Sequence, residues 1–133
     1  MKNEPEDYSI DDLARDNTEP WDGIRNYQVR NMIRDDMRVG DQAFFYHSNC
    51  KPPGIVGLME IVSKNIIDPT QFDQNSKYYD SKSDKLNPRW DCVKVQFLFK
   101  SKEIISLQEL RSLFKEDELL VVKKGNRLSI LPV

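Results

Sequence analysis

The stretch WDGIRNYQVRNMIRDDMRVGDQAFFYHSNCKPPGIVG, residues 21–57, contains a helix, two strands and the loop that joins them. Within it, Val29, Met32, Ile33 and Met37 recur at the spacing of one helical face, which predicts a helix over Asn26–Arg38. Arg30, Arg34 and Arg38 form a separate row four residues apart. Like charges at that spacing disfavour an isolated helix, so the row is either a solvated face neutralised by Asp35 and Asp36 or a surface for phosphate. Gly40 is expected to end the helix in a left-handed conformation. Gln42–His47 (QAFFYH) then reads as a strand, apolar on both faces and therefore central, and Gly54–Val62 as its neighbour. Ser48–Pro53 between them is rich in turn formers. Gly54 and Gly57 mark places where something approaches the backbone closely.

Working outward, Lys2–Pro5 is extended, because Glu4 precedes a proline. Ser9 with Asp12 forms a capping-box signature for a short helix that ends at the turn residues Asn17–Pro20. On the other side, residues 63–87 read as a long polar loop. Trp90–Lys100 is a strand with Val93, Val95, Phe97 and Phe99 on one face. Ser106 opens a helix to about Phe114, with Leu107, Leu110, Leu113 and Phe114 inward. Leu119–Val122 and Arg127–Leu131 read as a hairpin around Lys124-Gly125-Asn126. The expectation is one mixed α/β (α+β) domain over residues 1–133, a curved, barrel-like sheet flanked by short helices.

Composition narrows the classes. The chain has 133 residues, 38% hydrophobic and 32% charged, which suits a single soluble domain with its own core. No apolar run approaches the ~20 residues that span a bilayer, and the amino terminus has no apolar signal core. A cytoplasmic, monomeric protein without membrane association is expected. Cys50 and Cys92 form neither a disulfide framework nor a zinc pattern. The net charge of −2 excludes coating nucleic acid by charge alone. Its distribution is uneven: residues 1–20 hold two basic and seven acidic residues, whereas residues 23–51 hold five basic and three acidic ones.

Catalytic constellations are scarce. His47 is the single histidine. Glycine-rich phosphate loops, nucleophile elbows and metal-spaced His/Cys clusters are missing, so no metal, cofactor or catalytic residue is expected. A thiol enzyme acting on a nucleotide would need Cys50 beside His47. Binding fits the residues better. Trp21, beside Asp22 and Gly23 and outside any periodic pattern, reads on its own more as a core residue than as a ligand platform; with Asn26, Ser48 and Asn49 available to read an edge, it is expected to be a stacking platform for a flat heterocycle. Arg25 could pair with a phosphate, together with Arg30, Arg34 and Arg38.

Several blocks in fixed order carry a resemblance: Lys2-Asn3-Glu4-Pro5, WDGIRNYQVRN (21–31), FFYHSN (44–49), PPGIVG (52–57), YYD (78–80), PRW (88–90) and GNRLSILPV (125–133). Together they resemble the EVE domain family of the PUA-like superfamily, over nearly the whole chain. The resemblance implies a PUA-like β-barrel, related to the YTH readers of methylated adenine in RNA. It also implies a pocket for a modified base in DNA or RNA, either methylated or hydroxymethylated cytosine or methylated adenine, presented single-stranded or flipped out. By position, Lys2, Asn3 and Glu4 would form one wall, Trp21, Asp22 and Gly23 the aromatic face, and Asn26, Tyr27, Tyr46, His47, Ser48 and Asn49 the other side. Asn3 stands where the family usually has serine, so an amide replaces a hydroxyl. The family usually has several apolar residues before the lysine, so a shortened first strand is expected. A protein-interaction scaffold with a purely structural cleft, and the thiol enzyme, stay open as alternatives.

Overall fold

The computed structural model describes residues 1–115 and 128–131. The elements run β1 (Lys2–Asn3), α1 (Ile10–Asp16), β2 (Thr18–Trp21), α2 (Tyr27–Asp35), β3 (Gln42–His47), β4 (Gly54–Ile67), a 3-10 turn (Pro69–Phe72), β5 (Asp91–Ser106) and α3 (Leu107–Leu113). The strands form one sheet in the order β1-β3-β4-β5-β2. Only β1 and β3 run parallel; the other pairs are antiparallel. This is a mixed α+β fold. Among the described residues the sheet stays open, with β1 and β2 at its edges. The hairpin expected over Leu119–Val122 and Arg127–Leu131 around Lys124-Gly125-Asn126 falls mostly outside the described residues.

Helix α1 forms as the capping box implies. Ser9 Oγ accepts the Asp12 N–H, and the Asp12 carboxylate accepts the Ser9 N–H. Ile10 and Leu13 face the sheet, where each buried side chain contributes about 1.5–3 kcal/mol. Gly57 lets this contact form: a Cβ there would lie 2.6 Å from Ile10 Cδ1 and 2.7 Å from the Phe99 carbonyl. The close approach read from Gly57 is therefore to a helix and a neighbouring strand.

The Asn26–Arg38 helix begins where expected, with the Asn26 side chain accepting the Val29 N–H at 3.1 Å. It buries Val29 and Ile33 and stops at Asp35, three residues early. Lys64 replaces further turns by donating to the carbonyls of Arg34 and Met37. Gly40 does have positive φ, but it serves the turn into β3 and donates to the Ile61 carbonyl at 2.8 Å.

Three further expectations are corrected. Of the expected turn residues Asn17–Pro20, Thr18–Pro20 belong to strand β2, paired with β5 from Thr18↔Gln96 to Trp21↔Val93. Both β4 and β5 run well past their expected ends, and register shifts between them bend the sheet. On α3 only Leu110 is fully buried; Leu113 and Phe114 are exposed, and on β5 so is Phe99. The main core lies between the sheet and helices α1 and α2, centred on Phe45, Met59, Ile61, Val93 and Val95.

His47, at the end of β3, is a tie between elements. Its Nε2 accepts the Ile10 N–H at 3.2 Å, satisfying a free amide of α1, and its ring meets Phe45 edge-on at 5.5 Å. Burial lowers its pKa below the ordinary 6.5, with Lys100 acting in the same direction and Asp11 against it. The native state therefore favours the neutral ring, while the unfolded chain takes up the proton near pH 6.5. The stability this group carries is complete above the unfolded value and is lost as pH falls towards the native one. Denaturant unfolding between about pH 7.5 and about pH 5 is expected to show a loss of stability in the parent that is smaller in His47→Gln, which keeps an acceptor but cannot charge.

Candidate functional site

Two buried polar residues organise the segment that the sequence presents as a long loop. Asp68 and Gln71 are both fully buried. The Asp68 carboxylate accepts from the Gly23 N–H at 2.8 Å, the Thr70 N–H at 2.8 Å and the Thr70 hydroxyl at 2.5 Å, and from Arg25 Nη1 at 3.1 Å. Gln71 donates to the carbonyls of Asp68 and Trp90 and accepts from the amides of Arg89 and Trp90 and from the Ser83 hydroxyl. Each of these buried groups has hydrogen-bond partners, which offset the cost of its burial. In exchange they pin residues 68–90 against the sheet and the start of α2.

Arg25 is wholly engaged in this network. Nε and Nη2 donate to the Tyr78 carbonyl at 2.9 and 2.6 Å, Nη2 also to Thr70 Oγ1 at 3.0 Å, and Nη1 to the Ile24 carbonyl and Asp68. All five guanidinium donors are in use, which corrects the expectation that Arg25 contacts phosphate. The rest of the row divides. Arg30 lies over the Tyr27 ring at 4.6 Å and donates to the Arg89 carbonyl. Arg34 pairs with Asp91. The Arg38 side chain stands exposed, and among the described residues only its backbone is bonded, to Asp41.

The same network shapes a cleft of about 380 Å³ between β1, β2 and the 77–78 segment, within the ~300–1,000 Å³ usual for small-molecule sites. It gathers Lys2, Asn3, Trp21, Asp22 and Gly23, and adds Tyr78, which the sequence reading left out of the site. Gly23 has φ +80°, and a Cβ there would sit 2.6 Å from Tyr78 Cζ, so the ring closes over a position only glycine fits. Trp21 takes part from the side of the core. It is 6% exposed and packs edge-on against Phe45 at 5.3 Å, so it forms the floor and is not the free platform its isolation suggested. Asp22 and Glu19 also line the cleft, and burial raises the pKa of both carboxyl groups.

The other expected residues lie elsewhere. Asn26 caps α2, and Tyr27 stacks on Trp90 at 4.7 Å. Tyr46 is buried with Leu110, and His47 caps α1. Ser48 and Asn49 brace the first wall. The Ser48 N–H donates to the Asn3 carbonyl at 2.9 Å, and Asn49 Nδ2 to Glu4 Oε1 at 3.1 Å. Neither thiol is activated: burial raises the pKa of Cys50, and that of Cys92 to about 12. A signal for Tyr78 was present in the YYD block; none existed for Asp68 or Gln71, single polar residues without periodicity.

A fold with this cleft, built from these blocks in this order, is an EVE domain, and the EVE model matches residues 1–133. The chain belongs to the EVE domain family. Human thymocyte nuclear protein 1 is 44% identical over 151 residues, covering all of this chain and 67% of that protein. The chicken protein of the same name is 50% identical over 123 residues, covering 84% of this chain and 50% of its own length. The chain thus spans half to two thirds of these two relatives. Among solved structures, a Pseudomonas syringae protein superposes with a TM-score of 0.94 at 42% identity, covering 100% of this chain and 89% of its own. The human THYN1 protein in complex with 5-methylcytosine-containing DNA superposes with a TM-score of 0.88 at 43% identity, covering 97% of this chain and 85% of its own.

Because Arg25 neutralises a buried carboxylate, its loss is felt without any ligand. Arg25→Ala is expected to lower unfolding stability by about 3–5 kcal/mol in denaturant titrations of the protein alone, leaving Asp68 buried and unpaired. A surface phosphate contact would leave that stability unchanged.

Proposed function

We propose that this EVE domain reads a modified base in DNA, 5-methylcytosine above all, and takes that base into the cleft walled by Lys2, Asn3, Asp22, Gly23 and Tyr78. The observation that carries this reading is the cleft itself, on a fold that superposes at 43% identity on a protein crystallised with 5-methylcytosine-containing DNA. Tyr78 supplies the aromatic wall, Trp21 the floor, and Lys2 and Lys77 the cations at the mouth.

The base enters from a single strand or flipped out of a duplex, since a base inside the stack cannot reach a recessed wall. Extrusion costs a few kcal/mol in a paired duplex and less in a single strand. A chain of net charge −2 has little sequence-blind attraction to offset that cost. One methyl group in an apolar recess is worth about 1–3 kcal/mol, which sets preference over the unmodified base at roughly ten- to two-hundred-fold. RNA carrying the same base is a second substrate of the same chemistry. The protein acts by binding alone.

Anisotropy titrations with matched oligonucleotides, modified and unmodified, single-stranded and paired, test the reading. Tighter binding to the modified single strand is expected; equal affinity for all of them overturns it. Tyr78→Ala is expected to weaken that binding by roughly 5- to 150-fold, the worth of one aromatic stack, with unfolding stability changed far less than by Trp21→Ala. Trp21→Ala removes a core ring and is expected to cost about 3–5 kcal/mol of stability.

A further inference from the structure

The cleft contains a carboxylate that the protein leaves short of donors. Asp22 is half-buried between Trp21 and Gly23, at the end of β2. Its neighbour differs from it in this respect: the Asp68 carboxylate accepts four hydrogen bonds. Among the described residues no side chain or backbone amide of another residue donates to the Asp22 carboxylate, and Asp68 beside it adds a like charge that Arg25 only partly offsets. A carboxylate removed from water without donors is costly, and a ligand that brings N–H groups to it relieves that cost. On the same cleft, the Asn3 side-chain oxygen is used by the Glu4 N–H, while its amide N–H2 has no acceptor among the described residues. The cleft therefore offers an acceptor from Asp22 and donors from Asn3 and Lys2.

We infer that Asp22 is the specificity-determining residue of the cleft: it accepts the exocyclic amine of a cytosine-type base and thereby rejects thymine, which carries the same methyl group. The inference rests on the base-reading function proposed above and adds the edge that is read. Cytosine presents an amine donor beside two acceptors, the complement of one carboxylate and neighbouring amide and ammonium donors. Thymine presents a carbonyl where cytosine has the amine, which places two oxygens against each other and leaves Asp22 unpaired. A methyl recess alone would admit both bases equally, so exclusion of thymine needs a polar group of this kind. An acceptor aimed at the cytosine amine is a recognised way of choosing that base.

The test uses the full chain and single-stranded oligonucleotides that differ at one central position: 5-methylcytosine, cytosine, thymine or an abasic site. The parent protein is expected to bind the 5-methylcytosine strand roughly 10- to 100-fold more tightly than the thymine strand. Asp22→Asn, whose amide can donate or accept, is expected to bring the two within roughly threefold, by the same arithmetic. Asp22→Ser serves as a second variant, and thermal melts of both without DNA establish that they are folded. Parent protein that binds thymine as tightly as 5-methylcytosine, both above cytosine, would overturn the assignment to Asp22 and leave base reading in place. Folded Asp22 variants that keep full discrimination would overturn it as well. Indifference to all four strands would remove the base-reading function and this inference with it.

Discussion

The cleft depends on one buried ion pair. Asp68 is fully buried and Arg25 nearly so, with 22% of its side chain exposed. Taking both charges out of water costs several kcal/mol each, and their attraction alone does not guarantee a net gain. What the pair contributes is position. Through Gly23 the carboxylate holds the chain leaving β2, through Thr70 it holds the 3-10 turn, and through Arg25 it reaches the Tyr78 carbonyl 53 residues along the chain from that arginine. Apolar replacements of equal volume could fill the space, but they could not fix three segments in register. The two walls of the cleft are set by this geometry before any ligand arrives.

The parts of the fold that were legible in the sequence are those written in local patterns. Ser9 with Asp12 and Ser106 each announce a helix start, and both cap as expected, while the apolar spacing after Asn26 marks the start of α2. The Gln42–His47 strand matches its expected ends because aromatic residues are bounded by polar turn formers. Strand β2 was not legible: Asn17-Thr18-Glu19-Pro20 carries turn chemistry, and only pairing with β5 makes it extended. The same blindness explains Trp21. On a short edge strand it has no periodic companions, so a core tryptophan looks like a free one.

The candidate cleft was half legible. Lys2, Asn3, Trp21, Asp22 and Gly23 do meet at one cleft, but the FFYHSN block braces that wall from behind. Parallel pairing of β1 with β3 brings Asn3 opposite His47, so the two motif blocks support each other and only the first faces the cleft. The arginine row was misleading for a related reason. A guanidinium carries no mark in sequence of whether its partner is a phosphate or a carboxylate of the same chain. Here Asp68, Asp91 and the Tyr27 and Trp90 rings take three of the four.

One carboxylate accepting two amides from distant segments has a dynamic consequence. The Gly23 and Thr70 N–H groups are held by the two oxygens of Asp68, so neither segment can open without disturbing the anchor of the other. Exchange of both amides with solvent deuterium then reports a single opening event, shared by the rim of the cleft and the 3-10 turn and separate from the slower opening of the Phe45 core. The rim of the cleft and the 3-10 turn thus form one cooperative unit around the Asp68 carboxylate.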